Sequence, residues 1–249
     1  MLYALVFFVI WIASFLFAML GLGGGMVYVP VLKWCGFPVK EVAIPLGLLL
    51  NGLNVLLALI PYARHRLVDW RGGASTAGAA FVAAPIGAYT AQFVPVRTLL
   101  ILFSIAVLAA AFRMVVFSRQ PEPEEPISGW KRAVLGGAVG AFAGFTGGLL
   151  GIGGGFIIAP ALMWMGYPTK QAAATTAFAV TFSSFSGFLG HVAGGNFNWT
   201  LTAVVVLAVL LGSQLGANFM SSRARPKRVK QLYAVVLFAI AFKLILGVI

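Results

Sequence analysis

Residues 20–43, LGLGGGMVYVPVLKWCGFPVKEVA, recur at a constant offset of 130 as residues 150–173, LGIGGGFIIAPALMWMGYPTKQAA, with 12 of 24 positions identical. Each copy holds a Gly-x-Gly-Gly-Gly cluster, then a proline, a tryptophan and a Gly-aromatic-Pro turn. Glycine is the ordinary residue least willing to stay helical. Any fold this chain adopts must therefore hold two equivalent backbone interruptions, one in each half.

Those interruptions lie in a chain that is 61% hydrophobic and 9% charged over 249 residues. No water-soluble fold has so little polar material to cover itself. Uninterrupted apolar stretches of about 20 residues, the length that crosses a roughly 30 Å hydrocarbon core, recur throughout. The chain reads as an all-α integral membrane protein with membrane lipid as its solvent. Its net charge of +12 comes from basic residues between the apolar blocks. That placement fits cytoplasmic anchoring under the positive-inside rule and argues against nucleic acid. Cys35 is the single cysteine, so no intrachain disulfide forms. The apolar N-terminus lacks a basic n-region and a small-x-small cleavage site, and reads as retained structure.

Eight apolar blocks span 2–35, 41–63, 74–96, 97–117, 132–165, 171–193, 200–222 and 228–249. Alternating Pro and Glu make 118–131 a solvated linker between an N-terminal repeat, 1–117, and a C-terminal repeat, 132–249. The first and fifth blocks hold 34 residues each. As one helix that is about 51 Å, too long for a single span and too short for two. Each is expected to be a glycine-broken, re-entrant element, because irregular backbone at membrane depth is tolerated only inside protein or along a cavity.

Charge counting favours this reading. Setting aside Arg113 and Lys243, which fall within blocks, leaves 15 of the 17 basic residues. Ordinary single spans would split them 9:6. Two re-entrant elements invert the second repeat and place Arg64, Arg66, Arg71, Arg119, Lys131, Arg132, Lys170 and the five basic residues of 223–230 on one face. Lys33, Lys40 and Arg97 alone remain opposite, a 12:3 split. The expected topology is two inverted four-block repeats, six complete spans and two broken elements, both termini outside.

Paired interruptions in an inverted repeat point to the substrate site of a membrane transporter. Gly23, Gly24, Gly25, Gly153, Gly154 and Gly155 bare their backbone N–H groups, and helices restarting near Met26 and Phe156 would aim two positive dipole ends at a midplane anion. Close helix approach is the competing role for such glycines. Neither turn carries the Gly-Lys-Ser/Thr of a phosphate-binding loop. Asn51 and Asn54 match Thr181 and Ser184 at the offset of 130. Asn51, Asn54, Thr176 and Ser184 are candidates to recognise oxygens in a central cavity, or else to hydrogen-bond between helices. Gly136, Gly140, Gly144 and Gly148, like Gly212 and Gly216, read as packing grooves. All five acidic residues fall in connections, so no carboxylate is placed for an intramembrane proton relay. His191 reads as a packing histidine, and Arg113 and Lys243 as snorkelling cations.

The GLGGG and GIGGG turns, each followed by Pro, Trp and GFP or GYP, resemble the TauE/SafE sulfite exporter family over nearly the full length. FTGGLLGIGGGFIIAPAL, residues 145–162, is the more specific copy. The resemblance implies export of sulfite, sulfoacetate or a similar sulfonate across the bacterial inner membrane, with no cofactor and no metal. An anion channel and an importer of a sulfur oxyanion are the alternatives. An enzyme is not expected, because no nucleophile–base pair or intramembrane acid is evident. The chain is compatible with a homodimer.

Overall fold

The computed structural model describes residues 2–118, 129–192 and 199–222, together with 231, 235, 238–240, 242 and 243. Most of the 118–131 linker, most of the last block and the side chain of Arg113 lie outside the described residues. Nine α-helices are present among the described residues, and no strand. They are α1 Leu2–Ala18, α2 Gly25–Trp34, α3 Ile44–Arg64, α4 Trp70–Ala91, α5 Val96–Ser118, α6 Gly129–Leu150, α7 Gly155–Trp164, α8 Thr169–Val192 and α9 Trp199–Ser222. One π-helical turn, Val39–Ala43, leads into α3. Among the described residues four helical segments, Val39–Arg64, Gly129–Leu150, Thr169–Val192 and Trp199–Ser222, are long and apolar enough to cross a membrane, against the six complete spans expected from the sequence.

Both 34-residue blocks break at their glycine clusters. α1 ends at Ala18 and α2 starts at Gly25, while α6 ends at Leu150 and α7 starts at Gly155. The same bond closes each break: Leu22 N–H donates to Phe17 O at 3.3 Å, and Ile152 N–H to Gly147 O at 3.0 Å. Gly23 (φ +68°) and Gly153 (φ +70°) both lie in the left-handed region, where any side chain is strained.

A helix that stops within the protein leaves carbonyls that water cannot reach. Tyr62 from α3 donates to Ala18 O at 2.8 Å and is 2.7 Å from Met19 O. His191 from α8 reaches Gly148 O with its Nε2 at 2.9 Å. Ala18 and Gly148 are 130 residues apart, so the same carbonyl is capped in both repeats, by a phenol in one and an imidazole in the other.

Helices from different repeats pack together. α4 lies against α6 and α8, and α9 lies against α1 and α3. The α4–α6 seam is a small-residue ridge: a Cβ on Gly140 would sit 2.9 Å from Thr76 Cα, and one on Gly148 would sit 2.8 Å from the Ala84 carbonyl carbon. Gly212 and Gly216 let α9 approach α1 at Trp11 and Phe15 in the same way. The result is two bundles, α1–α3 with α9 and α6–α8 with α4, facing each other mainly across α3 and α8. Lysines at corresponding places close two helix ends: Lys40 Nζ donates to Gln92 O at 3.1 Å, and Lys170 Nζ to Ser221 O at 3.3 Å. Each sits where the C-terminal dipole favours a cation.

Asp69 ties one end of the second bundle together. Its Oδ1 accepts from Gly72 N–H at 2.8 Å, capping α4. Its Oδ2 accepts from Arg132 Nη1 at 3.1 Å and from the Tyr167 hydroxyl at 2.8 Å. Its own N–H donates to Thr175 Oγ1 at 3.1 Å. Residues at the start of α6 and just after α7 thus meet one carboxylate. Burial, then the hydrogen bond to Asp69 and its charge, push the Tyr167 phenol up to about 12.

Two predictions follow from this packing. Gly140→Leu is expected to abolish recovery of folded protein, read as loss of the monodisperse peak in detergent chromatography, because the α4 backbone cannot move aside. A raised phenol pKa stabilises the protonated fold: that contribution is whole below about pH 10, the ordinary tyrosine value, and disappears as pH rises through the folded value. Wild-type protein should therefore lose more thermal stability than Tyr167→Phe between pH 10 and 12; equal losses would refute the coupling.

Candidate functional site

The two glycine turns touch. A Cβ on Gly25 would lie 2.7 Å from Ile152 Cα, and one on Gly155 would lie 2.9 Å from Leu22 Cα. Those four residues form two pairs related by the offset of 130. α2 and α7 therefore begin beside one another in the buried centre, with Gly23, Gly24, Gly25, Gly153, Gly154 and Gly155 all inaccessible from outside. The helices restart at Gly25 and Gly155, one residue earlier than the sequence suggests, because each third glycine already adopts helical geometry.

Asn51 bridges the two turns. Its Oδ1 accepts from Gly25 N–H at 2.8 Å, and its Nδ2 donates to Ser184 Oγ at 2.8 Å. Both side chains are fully buried. A Cβ on Gly153 would strike both Asn51 and Ser184, so the second turn passes directly over this bridge. Ser183 Oγ donates to Gly153 O at 2.6 Å and fixes the turn from α8. Asn51 is not joined to Thr181, its counterpart in the second repeat.

The two helix starts differ electrically. At α2 the Gly25 donor is satisfied by Asn51. At α7 the Gly154 N-cap has no side-chain cap, and the N–H groups of Gly155 and Phe156 have no acceptor among the described residues. Unpaired buried donors at the positive end of a helix favour an anion. Thr176 lies on the same face of α8 as Val180, Ser183 and Ser184, and its buried Oγ1 is also without a partner.

Asn54 belongs to a second network. Its Nδ2 donates to the Tyr28 hydroxyl at 2.6 Å and lies 3.4 Å from Ser14 O. Tyr28 and Ser14 hydroxyls are 2.6 Å apart, and Ser14 donates onward to Ile10 O at 2.6 Å. Ser213 from α9 donates to Asn54 O at 2.5 Å. The Asn54 Oδ1 atom has no partner. Tyr28 packs on Gly24, so this network flanks the first turn. Tyr28 and Ser14 carry no sequence signal, since their counterparts in the second repeat are Ile158 and Gly144.

Other candidates fall outside this centre. His191 is the carbonyl cap described above. Lys243 Nζ lies 4.1 Å above the Trp34 ring, in cation–π contact.

A helical membrane protein with two broken elements meeting at its buried centre has the architecture of a transporter. The family model for the sulfite exporter TauE/SafE matches residues 6–244. The chain belongs to that family, a family of membrane transporters. It is 27% identical over 257 aligned residues to the probable membrane transporter protein YunE of Bacillus subtilis, covering 94% of each chain. A probable membrane transporter of Methanocaldococcus jannaschii is 22% identical over 91% of this chain and 89% of that protein. Sulfite exporter TauE/SafE family protein 3 of Arabidopsis thaliana is 31% identical over 42% of this chain and 23% of that protein. No solved structure matches the chain.

Removing the Asn51 bridge should be costly. Asn51→Ala leaves the Gly25 donor and Ser184 without their partner in the buried centre, a loss of about 1–3 kcal/mol for each stranded group. A thermal-shift measurement in detergent should show a clear fall in melting temperature, larger than for Ser184→Ala alone.

Proposed function

We propose that this protein exports a small organosulfur anion, such as sulfite, sulfoacetate or a similar sulfonate, across the bacterial inner membrane. It does so by alternating access around the paired glycine turns. The observation that carries the reading is the uncapped start of α7 beside the Asn51–Ser184 bridge. An oxyanion would accept from Gly155 and Phe156 N–H and from the second Nδ2 hydrogen of Asn51. In the empty protein Asn51 Oδ1 stands where an anion oxygen would sit at Gly25. Rotation of that one amide would exchange an internal acceptor for the substrate and free the α2 start as well. Thr176 and Asn54 would complete the lining as the centre opens.

Repeats 1–117 and 132–249 are read as inverted copies, each opening with a re-entrant element. This is supported by the 12:3 partition of basic residues and by the meeting of Arg132 and Tyr167 at Asp69. That meeting is what a chain entering and leaving on one side through α6 and α7 requires. The bodies that rock are the two mixed bundles, with α3 and α8 as the sliding face. Expulsion from a cell negative inside gains about 2.3 kcal/mol per charge per 100 mV. Voltage alone can therefore drive the outward step.

Purified protein in liposomes, offered labelled sulfite, sulfoacetate, taurine and sulfate, tests this directly. Saturable flux of one or more sulfur anions, rising with the imposed potential, is the expected result. Gly154→Leu, at φ +83°, should abolish flux while the protein still inserts. Asn51→Asp, which sets a negative charge in the site, should do the same. Flux that follows only an opposing pH gradient and ignores voltage would overturn the mechanism. Single-channel conductance in a planar bilayer would replace it with a pore.

A further inference from the structure

The outer faces of α4 and α8 enclose a groove of about 360 Å³ lined by Ala74, Ala77, Gly78, Phe81, Phe178 and Phe182. Its floor is open because α4 offers only small side chains there: a Cβ on Gly78 would have nothing within 4 Å. Its walls are rings locked edge to face. Trp70 and Phe178 are 5.0 Å apart at 76°, Phe178 and Phe182 are 5.4 Å apart at 84°, and Phe81 and Phe182 are 6.5 Å apart at 75°.

Position along the helix sets what fits. From Arg71 to Phe81 is ten residues, about 15 Å at 1.5 Å per residue. That equals the depth of one leaflet, half of a roughly 30 Å hydrocarbon core. Trp70, 49% exposed at the mouth, is the residue type enriched at membrane–water interfaces, and a lipid seated here would set it at that level. Arg71 beside it is exposed and has no acceptor among the described residues. Asp69 is close in sequence but already engaged by Arg132, Tyr167 and Gly72. It leaves Arg71 unneutralised, and Arg64 at the end of α3 and Arg66 in the following connection precede it.

We propose that this groove is a binding site for one anionic phospholipid, its phosphate paired with Arg71 and one acyl chain lying along Ala74, Gly78 and Phe81 between the phenyl rings. Arginine suits the role because its planar fork takes two phosphate oxygens at once. The acyl chain needs an apolar channel with no hydrogen-bonding group, and the six lining side chains present none. A zwitterionic lipid fills the channel and presents the same phosphate, but its own ammonium offsets that charge, so selection among lipids rests on the net head charge met by the guanidinium.

Bromine on an acyl chain quenches a tryptophan it touches, and Trp70 stands at the mouth as a reporter. The Trp70 signal is the difference between the wild-type protein and Trp70→Phe, both reconstituted in bilayers. Brominated phosphatidylglycerol should quench it at about one-fifth of the mole fraction that brominated phosphatidylcholine requires, the preference expected of one cation at the membrane surface. Arg71→Gln should erase that preference while leaving quenching by phosphatidylcholine intact. Gly78→Leu, which fills the channel without a clash, should erase it as well. Equal quenching by both lipids in the wild type would mean ordinary bilayer contact and overturn the proposal. So would a preference that survives Arg71→Gln. Quenching by neither lipid would show the groove covered by a second copy of the chain, and would overturn it too.

Discussion

A helix cannot end in hydrocarbon unless something answers its last carbonyls. Each unpaired peptide group there costs several kcal/mol, with no water to share the loss. The Tyr62 phenol at Ala18 and Met19, and the His191 imidazole at Gly148, meet this demand. With the carbonyls covered, the glycine turns can exist, α2 and α7 can begin at the centre, and their N–H groups can face each other. The acceptor side of each break is thus sealed by protein. The donor side is sealed at α2 by Asn51 and left open at α7. This imbalance between sealed acceptors and spare donors gives the centre its affinity for negative charge in the proposed mechanism.

The division of the molecule into bundles follows from where small residues lie. Alanine and glycine on α4 match the glycine ridge of α6, so backbone meets backbone and α4 leaves its own repeat. α9 crosses back in the same manner onto α1. Between the bundles the contact is narrower, through α3, α8 and the turns. One of the joining segments, between α3 and α4, holds Arg66 at φ +55°, a conformation uncommon for a residue with a side chain. Ridge-packed contacts within each bundle and the Asn51–Ser184 bridge between them are the features that the proposed rocking would use.

Much of this was legible in the residues. The duplication located both turns, and the length of the first and fifth blocks required their interruption. The four-residue glycine spacing in α6 marked a packing ridge. Asn51 and Ser184 stood out as polar residues in apolar blocks, and they meet. What stayed hidden was relational. The offset of 130 pairs Asn51 with Thr181, whereas the partner of Asn51 in space is Ser184. Tyr28 and Ser14 were invisible because only one repeat has them, so repetition could not flag them. Tyr62 and Tyr167 sit near block ends, where aromatic residues ordinarily belong to the interface. Their role emerges only once a carbonyl or a carboxylate is placed opposite.

The exchanged helices also govern how the molecule can be made. When α4 leaves the ribosome its ridge of alanine and glycine has no counterpart, because α6 and α8 have not been synthesised. It must wait beside lipid or the insertion machinery until α6 is complete at Leu150, 59 residues after α4 ends at Ala91, before its seam can close. A nascent chain stalled after α5 would hold an unmatched hydrophobic groove, the kind of surface that membrane quality control engages.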